Sequence, residues 1–261
     1  MSDVSRLATG TRLRLRELTR TPTTLAMLLA LPPVIVETYG VGMSSFPQLP
    51  GVEGDLATVG RLTGALFAVA FLAGIVGLFQ VISARHGDER LAVAGFPRAS
   101  MLAGRLLTMS TVGVAGAAVA LGVLSVRVDV AAPGLAVAAL VSGALIYGLL
   151  GVVVGTLLPR ELEGSIALVF LADVDNALSA GLLPSVPSVS IPVFGDVSLA
   201  SLAPLFHSHE LFAAAVLDGT LAAGHLRPVA AWLGGLLALA FLAYTHSAGD
   251  GVAALLGRWR A

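Results

Sequence analysis

The stretch ARHGDERLAVAGFPRAS, Ala84–Ser100, decides how the whole chain is interpreted, because it is a charged island between two uncharged segments. Its charged or titratable residues are Arg85, His86, Asp88, Glu89, Arg90 and Arg98. The flanking segments, 62–83 and 106–126, contain no charged residue. About 20 apolar residues are enough for a helix to cross a bilayer. We therefore expect the island to lie in water and its neighbours to lie in lipid.

Composition places the chain among membrane proteins. Of its 261 residues, 56% are hydrophobic and 12% are charged, whereas soluble domains carry roughly 25% charged residues. The chain has no Cys, which excludes disulfides, thiolate metal sites and a Cys nucleophile. It also has no Lys, so a phosphate-binding loop of the GxxxxGK[ST] type is impossible. We therefore expect that the chain is not a P-loop ATPase by itself, and ATP-driven work would need a partner polypeptide.

The apolar segments predict an all-α polytopic membrane protein with six transmembrane helices in a single domain, 1–261. The predicted spans are residues 22–41, 62–83, 102–126, 131–158, 162–183 and 229–248. The first is expected to be kinked at Pro32–Pro33, with Glu37 near the outer face. Arg105, at the start of the third span, is expected to snorkel to the membrane interface.

Arginine distribution predicts the orientation. Residues 1–20 alternate Arg with Leu, which suits an amphipathic helix on the membrane surface, and a disordered basic tail is the alternative. With six spans, twelve arginines fall on one side and three on the other. The three are Arg61, Arg127 and Arg227. This bias predicts that both termini are cytoplasmic.

The predicted fifth span carries polar residues near its middle. A carboxylate in the bilayer costs at least ~2.5 kcal/mol and normally faces a cavity or a partner helix. Asp173 and Asn176 are three residues apart and share a helix face, whereas Asp175 is predicted to point away. A translocation path, a proton site and a buried structural contact all remain open. Gln80, in the second span, is expected to make a helix–helix hydrogen bond.

The long outer loop, 184–228, is predicted to carry a short surface or re-entrant helix near 209–217. His207, His209 and Glu210 are the only cluster that suggests a metal, but zinc would need a third ligand in a pattern such as HExxH. We therefore predict no metal site. A membrane-embedded hydrolase using these three residues stays as a third hypothesis. Gly151-x3-Gly155 is a candidate close-packing site.

Within the charged island, residues 88–93 could form one or two helical turns. Gly95 and Pro97 would end them, glycine as a C-cap and proline beyond it. A short charged helix that exposes Phe96 could dock into a groove on a soluble protein. A solvated connector is the alternative.

Four features together resemble the ABC-2 type family of ABC transporter permeases. They are the basic amphipathic N-terminus before a kinked first span, GDERLAVAGFPRASMLAGR (Gly87–Arg105), PRELEG (Pro159–Gly164) before the fifth span, and PLFHSHELFAAAVLDG (Pro204–Gly219) before the last. The resemblance covers most of the chain. It implies a multi-pass permease subunit in the plasma membrane of a prokaryote, most relatives being exporters.

The resemblance also implies partners and roles. The permease would pair with a second copy or a sister permease and with cytoplasmic P-loop ATPase subunits that bind the ATP, so that the chain itself needs no cofactor. Its other contacts would be membrane lipids and not nucleic acid. Residues implied in coupling to the ATPase are Asp88, Glu89, Arg90, Phe96 and Arg98. Those implied in the substrate path are Gln80, Asp173 and Asn176. A proton-coupled secondary transporter using Asp173 or Asp175 is the alternative function.

Overall fold

The computed structural model describes residues 22–47, 54–158, 160–183, 187–191 and 195–258. The predicted amphipathic segment, 1–20, lies outside them. The described chain is mainly helical: α1 Pro22–Ser44, α2 Leu56–Ile82, α3 Arg85–Val93, α4 Arg98–Leu124, α5 Pro133–Leu157, α6 Glu161–Ser179, α7 Phe206–Ala213 and α8 Leu226–Arg258. A small antiparallel hairpin, β1 Ser188–Ile191 and β2 Gly195–Ser198, is added to the expected all-α architecture.

Five described helices are long and apolar enough to cross a membrane, as in a multi-pass membrane protein. They are Leu25–Ser44, Leu56–Ile82, Arg98–Leu124, Pro133–Leu157 and Ala223–Thr245. The predicted fifth span corresponds to α6 and is not among the five. Its 19 residues contain Glu161, Glu163, Asp173 and Asp175, which lower its hydropathy. Pro32 and Pro33 both lie inside α1, and the helix continues through them.

The central helix is α2, of whose most apolar window 78% is buried, against 17% for α1 and for the start of α8. It packs against α1, α4, α5 and α6. Its contact with α5 is close because glycines face each other. A methyl group built at Gly155 would lie 2.9 Å from the carbonyl oxygen of Leu78, and one at Gly151 would lie 3.0 Å from the Leu78 nitrogen. The Gly151-x3-Gly155 pair is therefore a close-packing site.

Charged residues mark the two ends of the bundle. At the end called outer here, Glu37 of α1 lies 3.6 Å from Arg61 of α2 and 3.4 Å from Arg127, which follows α4. Asp55 caps the start of α2, accepting hydrogen bonds from the backbone of Ala57 and Thr58. At the opposite, inner end lies α3, which connects α2 to α4.

The loop before α8 enters the bundle from the outer end. Gly143 of α5 lies against Leu66 of α2 and against Leu205 and Ser208 at the start of α7. Leu66 and Gly143 are each ten residues inside their helices, which is about 15 Å at 1.5 Å per residue. The chain then runs outward through α7. Just beyond the end of that helix, the carbonyl of Val216 accepts a hydrogen bond from the Ala131 N–H at 3.0 Å. The predicted short helix is thus present, with α7 beginning three residues earlier than expected. Because its start lies inside the bundle, we call it the re-entrant segment.

Candidate functional site

The charged island contains a helix, α3, whose C-terminal end is capped by residues of the island itself. It begins at Arg85, three residues before the predicted start, and ends at Val93. Gly95 has φ +83° and donates to Ala92, while Phe96 donates to Leu91 at 2.9 Å. These are the two hydrogen bonds of a Schellman motif, which glycine favours because a left-handed residue is needed there. The predicted C-cap is confirmed.

Asp88 joins α3 to two other helices inside the bundle. Its Oδ2 accepts from the Arg105 guanidinium of α4 and, at 2.6 Å, from the Tyr244 hydroxyl of α8. The Arg105 guanidinium also lies 5.6 Å from the centre of the Tyr244 ring. Asp88 is 6% exposed and Arg105 is 2% exposed. Arg105 therefore does not snorkel as predicted, because a buried carboxylate offers it a better partner than the membrane interface does.

Two further arginines connect the island to the bundle. Arg85 donates to the carbonyls of Gly155 and Thr156 at 3.3 and 3.2 Å, so a cation caps the C-terminal end of α5. Arg98 donates to the Thr245 carbonyl of α8 at 3.1 Å. Side chains of the island thereby tie it to groups in α4, α5 and α8 that are distant in sequence.

The predicted coupling residues differ in their exposure. Arg90 is exposed, together with His86, Leu91 and Val93. Glu89 and Arg98 are half-buried, and Phe96 packs its half-buried ring against the core. Asp88 is buried, so it serves as an internal anchor for α3 instead of a surface contact. A partner approaching the inner end meets Arg90, Leu91 and Val93.

A second polar cluster surrounds Asp175 of α6, which is 3% exposed. Its carboxylate accepts from the Tyr147 hydroxyl of α5 at 2.5 Å and from the Ser179 hydroxyl at 3.1 Å. The backbone N–H of Leu205, immediately before α7, lies 3.2 Å from both carboxylate oxygens. One buried carboxylate therefore holds α5, α6 and the tip of the re-entrant segment together.

The structure reverses the predicted orientation of the α6 carboxylates. Buried positions follow the helical period through Leu168, Ala172, Asp175, Asn176 and Ser179, whereas Asp173 is exposed. The prediction that Asp175 points away from Asn176 is therefore wrong, because spacing along α6 does not determine how the helix is rotated against α2. Asn176 faces Tyr39 of α1, and its Oδ1 is buried without a hydrogen-bond partner in the described chain.

Gln80 does not make the predicted helix–helix hydrogen bond within the described residues. Its side chain is half-buried, and both the Nε2 and the Oε1 atoms lack partners there. A buried unsatisfied amide costs about 1–3 kcal/mol. The two predicted path residues that face the interior, Gln80 and Asn176, therefore both keep unused hydrogen-bonding capacity.

Histidines of the outer loop pair with each other. The Nδ1 atoms of His207 and His225 lie 2.9 Å apart, linking α7 to the turn before α8. His209 is 8% exposed, and its Nδ1 lies 3.9 Å from Glu210, too far for a hydrogen bond. Within the described chain no group of three potential ligands could hold a metal ion. The His207, His209 and Glu210 side chains thus do not form a zinc-like site there.

Sequence reasoning missed four groups that define these clusters: Tyr147, Tyr244, Arg105 as an ion-pair partner, and the Leu205 backbone. Each tyrosine stands in an otherwise apolar run, which is a usable signal, since a buried hydroxyl needs a partner.

Neither protein-family models nor curated proteins gave a match to this chain. The fold and the two clusters define a helical protein with five potential membrane-crossing helices, one buried polar anchor at the inner end and another beside the middle of α5.

Proposed function

We propose that the chain is the permease subunit of an ATP-binding cassette transporter, an exporter in the plasma membrane of a prokaryote. It would form the translocation path and be driven by separate cytoplasmic P-loop ATPase subunits. The observation that carries the proposal is α3. This helix is anchored to three long helices by Arg85, which reaches α5, and by Asp88, which reaches α4 and α8, while Arg90, Leu91 and Val93 are exposed.

Such an arrangement suits transmission of force. A push on the exposed face of α3 reaches α4 and α8 directly through the Asp88 anchor and reaches α5 through Arg85. The absence of Lys, and with it of a P-loop lysine, is the reason for assigning ATP hydrolysis to another chain.

In this proposal α6 is the fifth of six spans and both termini are cytoplasmic. Its outward face exposes Ile166 by 61% and Phe170 by 71%, with Asp173 on the same side of the bundle surface. An ionised Asp173 facing lipid would be costly. A second copy of the chain, or a sister permease, placed against α6 would enclose Asp173 in a shared path. The twelve-to-three division of arginines supports the same topology.

The direct test is affinity purification of the tagged chain from its native membranes, followed by mass spectrometry. We expect a P-loop ATPase in stoichiometric amount. Arg90→Glu should reduce its recovery about tenfold, whereas Arg160→Glu, also a charge reversal at an exposed arginine, should leave it unchanged. Recovery of the intact permease without any ATPase from the unmodified strain would refute the proposal.

Asp175 favours one second candidate, a proton-coupled secondary transporter. A carboxylate buried about half-way through the bundle and hydrogen-bonded to Tyr147 is a suitable proton acceptor. In liposomes that contain the chain alone, protons would then cross the membrane down an imposed pH gradient. Asp175→Asn should abolish this proton flux. Indifference of the proton flux to this substitution would remove the candidate.

A further inference from the structure

Two histidines connect α7 to the turn before α8 by one hydrogen bond. His207 is the second residue of α7, and His225 ends the short turn Ala223–His225 that leads into α8. Their Nδ1 atoms lie 2.9 Å apart, and both side chains are half-buried. One Nδ1 atom must therefore carry a proton and donate it, while the other must offer its lone pair.

This requirement makes the hydrogen bond depend on pH. A pair of neutral rings, or a pair with one imidazolium, can supply one donor and one acceptor at the two Nδ1 atoms. When both rings are protonated, both Nδ1 atoms are donors and two positive charges face each other. The bond is then lost, and the ordinary histidine pKa of about 6.5 places this change in mildly acidic solution.

The surroundings of His207 set the direction of its titration. Burial of the ring, and then the positive charge of a protonated His225, hold the pKa of His207 below its ordinary value of 6.5. A hydrogen bond to the Ser201 backbone and the carboxylate of Glu210 act in the opposite direction. A histidine with a lowered pKa stabilises the fold above its unfolded pKa and loses that contribution as pH falls through the folded value. The bond is therefore present at neutral pH and lost below about pH 6.

On the side of α5 and α6, α7 is held by groups that are independent of the histidines. The Leu205 N–H donates to Asp175 of α6, with 3.2 Å between the nitrogen and each carboxylate oxygen. The Ser208 hydroxyl lies 2.8 Å from the Ser142 hydroxyl of α5. These contacts would keep α7 in the bundle if the histidine bond opened.

On the side of α8, the histidine pair and one aromatic ring make the connection. The Phe206 ring packs edge-on to His207, with 5.2 Å between the ring centres, and its centre lies 6.1 Å from that of His225. Ala223 and Gly224, in the same turn as His225, are exposed. Protons from solution therefore reach the pair, and loss of the bond would release the turn and the start of α8 from α7.

Other titratable groups lie on α7 and on the elements packed against it. On α7 itself, the buried His209 has its Nδ1 atom 3.9 Å from the carboxylate of Glu210. The neighbouring elements contribute Arg61 of α2, Tyr147 of α5, Asp173 and Asp175 of α6, Asp218 after α7, and Arg227 of α8. Because Asp175 accepts from the Leu205 N–H, its protonation would also weaken the hold on the re-entrant segment. Asp175 is therefore the group whose titration a test must separate from that of the histidine pair.

We propose that the His207–His225 hydrogen bond is an acid-released latch between the re-entrant segment and the start of α8. At neutral pH the latch holds the linker, residues 219–225, against α7. In mild acid, protonation of both rings releases the linker while α7 stays in place. This inference goes beyond the proposed function, because it concerns the motion of the outer loop and holds for any transported substrate.

The test uses fluorine NMR on the full-length protein in nanodiscs. A trifluoromethyl tag is attached through Leu221→Cys, and the attachment is unique because the chain has no native Cys. Leu221 lies in the linker and is 49% exposed, so the tag does not disturb the core. The tag itself does not titrate, and separate resonances report the held and the released linker.

We expect one resonance at about pH 7.5 and a second that reaches roughly half of the total intensity by about pH 5. His225→Asn should keep one resonance throughout, because asparagine places an amide near the Nδ1 position and does not titrate. His207→Asn should do the same and serves if His225→Asn folds poorly. His86→Asn is the matched control, since His86 is exposed at the inner end, and it should keep the response of the parent.

Two results would overturn the latch. One is a spectrum of the parent protein that does not change between about pH 7.5 and pH 5. The other is an acid response that His225→Asn and His207→Asn both keep. Loss of that remaining response in Asp175→Asn would then identify Asp175, and not the histidine pair, as the acid-sensitive group.

Discussion

Asp88 of α3 and Arg105 of α4 form an ion pair inside the bundle, with side chains only 8% and 3% exposed. The two residues are 17 positions apart in sequence, and the Tyr244 hydroxyl reaches the same carboxylate oxygen from α8. A buried pair of this kind is costly to break because the remaining charge stays desolvated. The anchor therefore fixes where α3 lies, and the exposed side of α3 follows from it.

Removing one partner of this anchor should destabilise the protein strongly. Arg105→Gln should lower the free energy of unfolding by about 3–5 kcal/mol, because Asp88 is left buried and unpaired. The double variant Asp88→Asn/Arg105→Gln should recover part of the loss. Thermal unfolding in detergent measures both, with Arg90→Gln as the exposed control, expected within about 0.5 kcal/mol of the parent. Equal effects of Arg105→Gln and Arg90→Gln would contradict the anchor.

Asp175 should hold the re-entrant segment in place. In Asp175→Asn an amide replaces one carboxylate oxygen, which weakens hydrogen bonds worth about 1.5–3 kcal/mol each when an acceptor is charged. Because the chain has no native Cys, Ser208→Cys supplies a single reporter at the start of α7. Labelling of that cysteine by a membrane-impermeant maleimide should rise about tenfold in the Asp175→Asn background.

Asp173→Asn is the matched control for that experiment, since Asp173 lies on the same helix but is exposed. It should leave labelling of Ser208→Cys unchanged. A rise of similar size with both substitutions would mean that charge on α6, and not the contact with the Leu205 N–H, controls access to α7.

Close packing between α2 and α5 should not tolerate a larger residue at Gly151. The added methyl group of Gly151→Ala would press on the Gly74 carbonyl and lie 3.0 Å from the Leu78 nitrogen, both backbone atoms that cannot rotate away. We expect a loss of about 1–3 kcal/mol in unfolding free energy. Gly134→Ala in the same helix has open space around it and should be neutral or slightly stabilising. Chemical denaturation in mixed micelles compares the two.

The cap of α2 should make stability depend on acid pH. Hydrogen bonds, first from the Thr58 hydroxyl and then from backbone N–H groups, hold the pKa of Asp55 below its ordinary value of 3.8. A carboxylate with a lowered pKa stabilises the fold fully above its unfolded pKa and loses that contribution as pH falls through the folded value. The contribution should therefore be complete at pH 6 and decline below about pH 4.

Two substitutions at Asp55 separate capping from charge. Asp55→Asn should keep the cap but lose this acid dependence, since asparagine also caps helices and does not titrate. Asp55→Ala should be less stable than either at pH 6 and equally insensitive to pH at this site. Thermal unfolding of the three proteins between pH 3.5 and pH 7 provides the comparison. An unchanged acid profile in Asp55→Ala would assign the titration to other carboxylates.

Sequence alone determined the features that depend on neighbouring residues. Apolar runs predicted the long helices, and each observed helix begins within about six residues of its predicted start. The charged residues of Ala84–Ser100 predicted that this stretch separates two of the helices. Gly95 and Pro97 predicted the end of α3, because a Schellman motif forms between residues five apart in the chain. Local hydrogen bonding and the length of apolar runs are properties that a linear sequence states directly.

Tertiary structure alone decided which polar groups meet. The rotation of α6 buried Asp175 and exposed Asp173, the opposite of what spacing suggested. The fold brought Leu205 to Asp175 from 30 residues away and Tyr244 to Asp88 from 156 away. Most buried polar groups find a partner, but the sequence does not say which one, because helix rotation and the juxtaposition of distant segments are set by packing of the whole bundle.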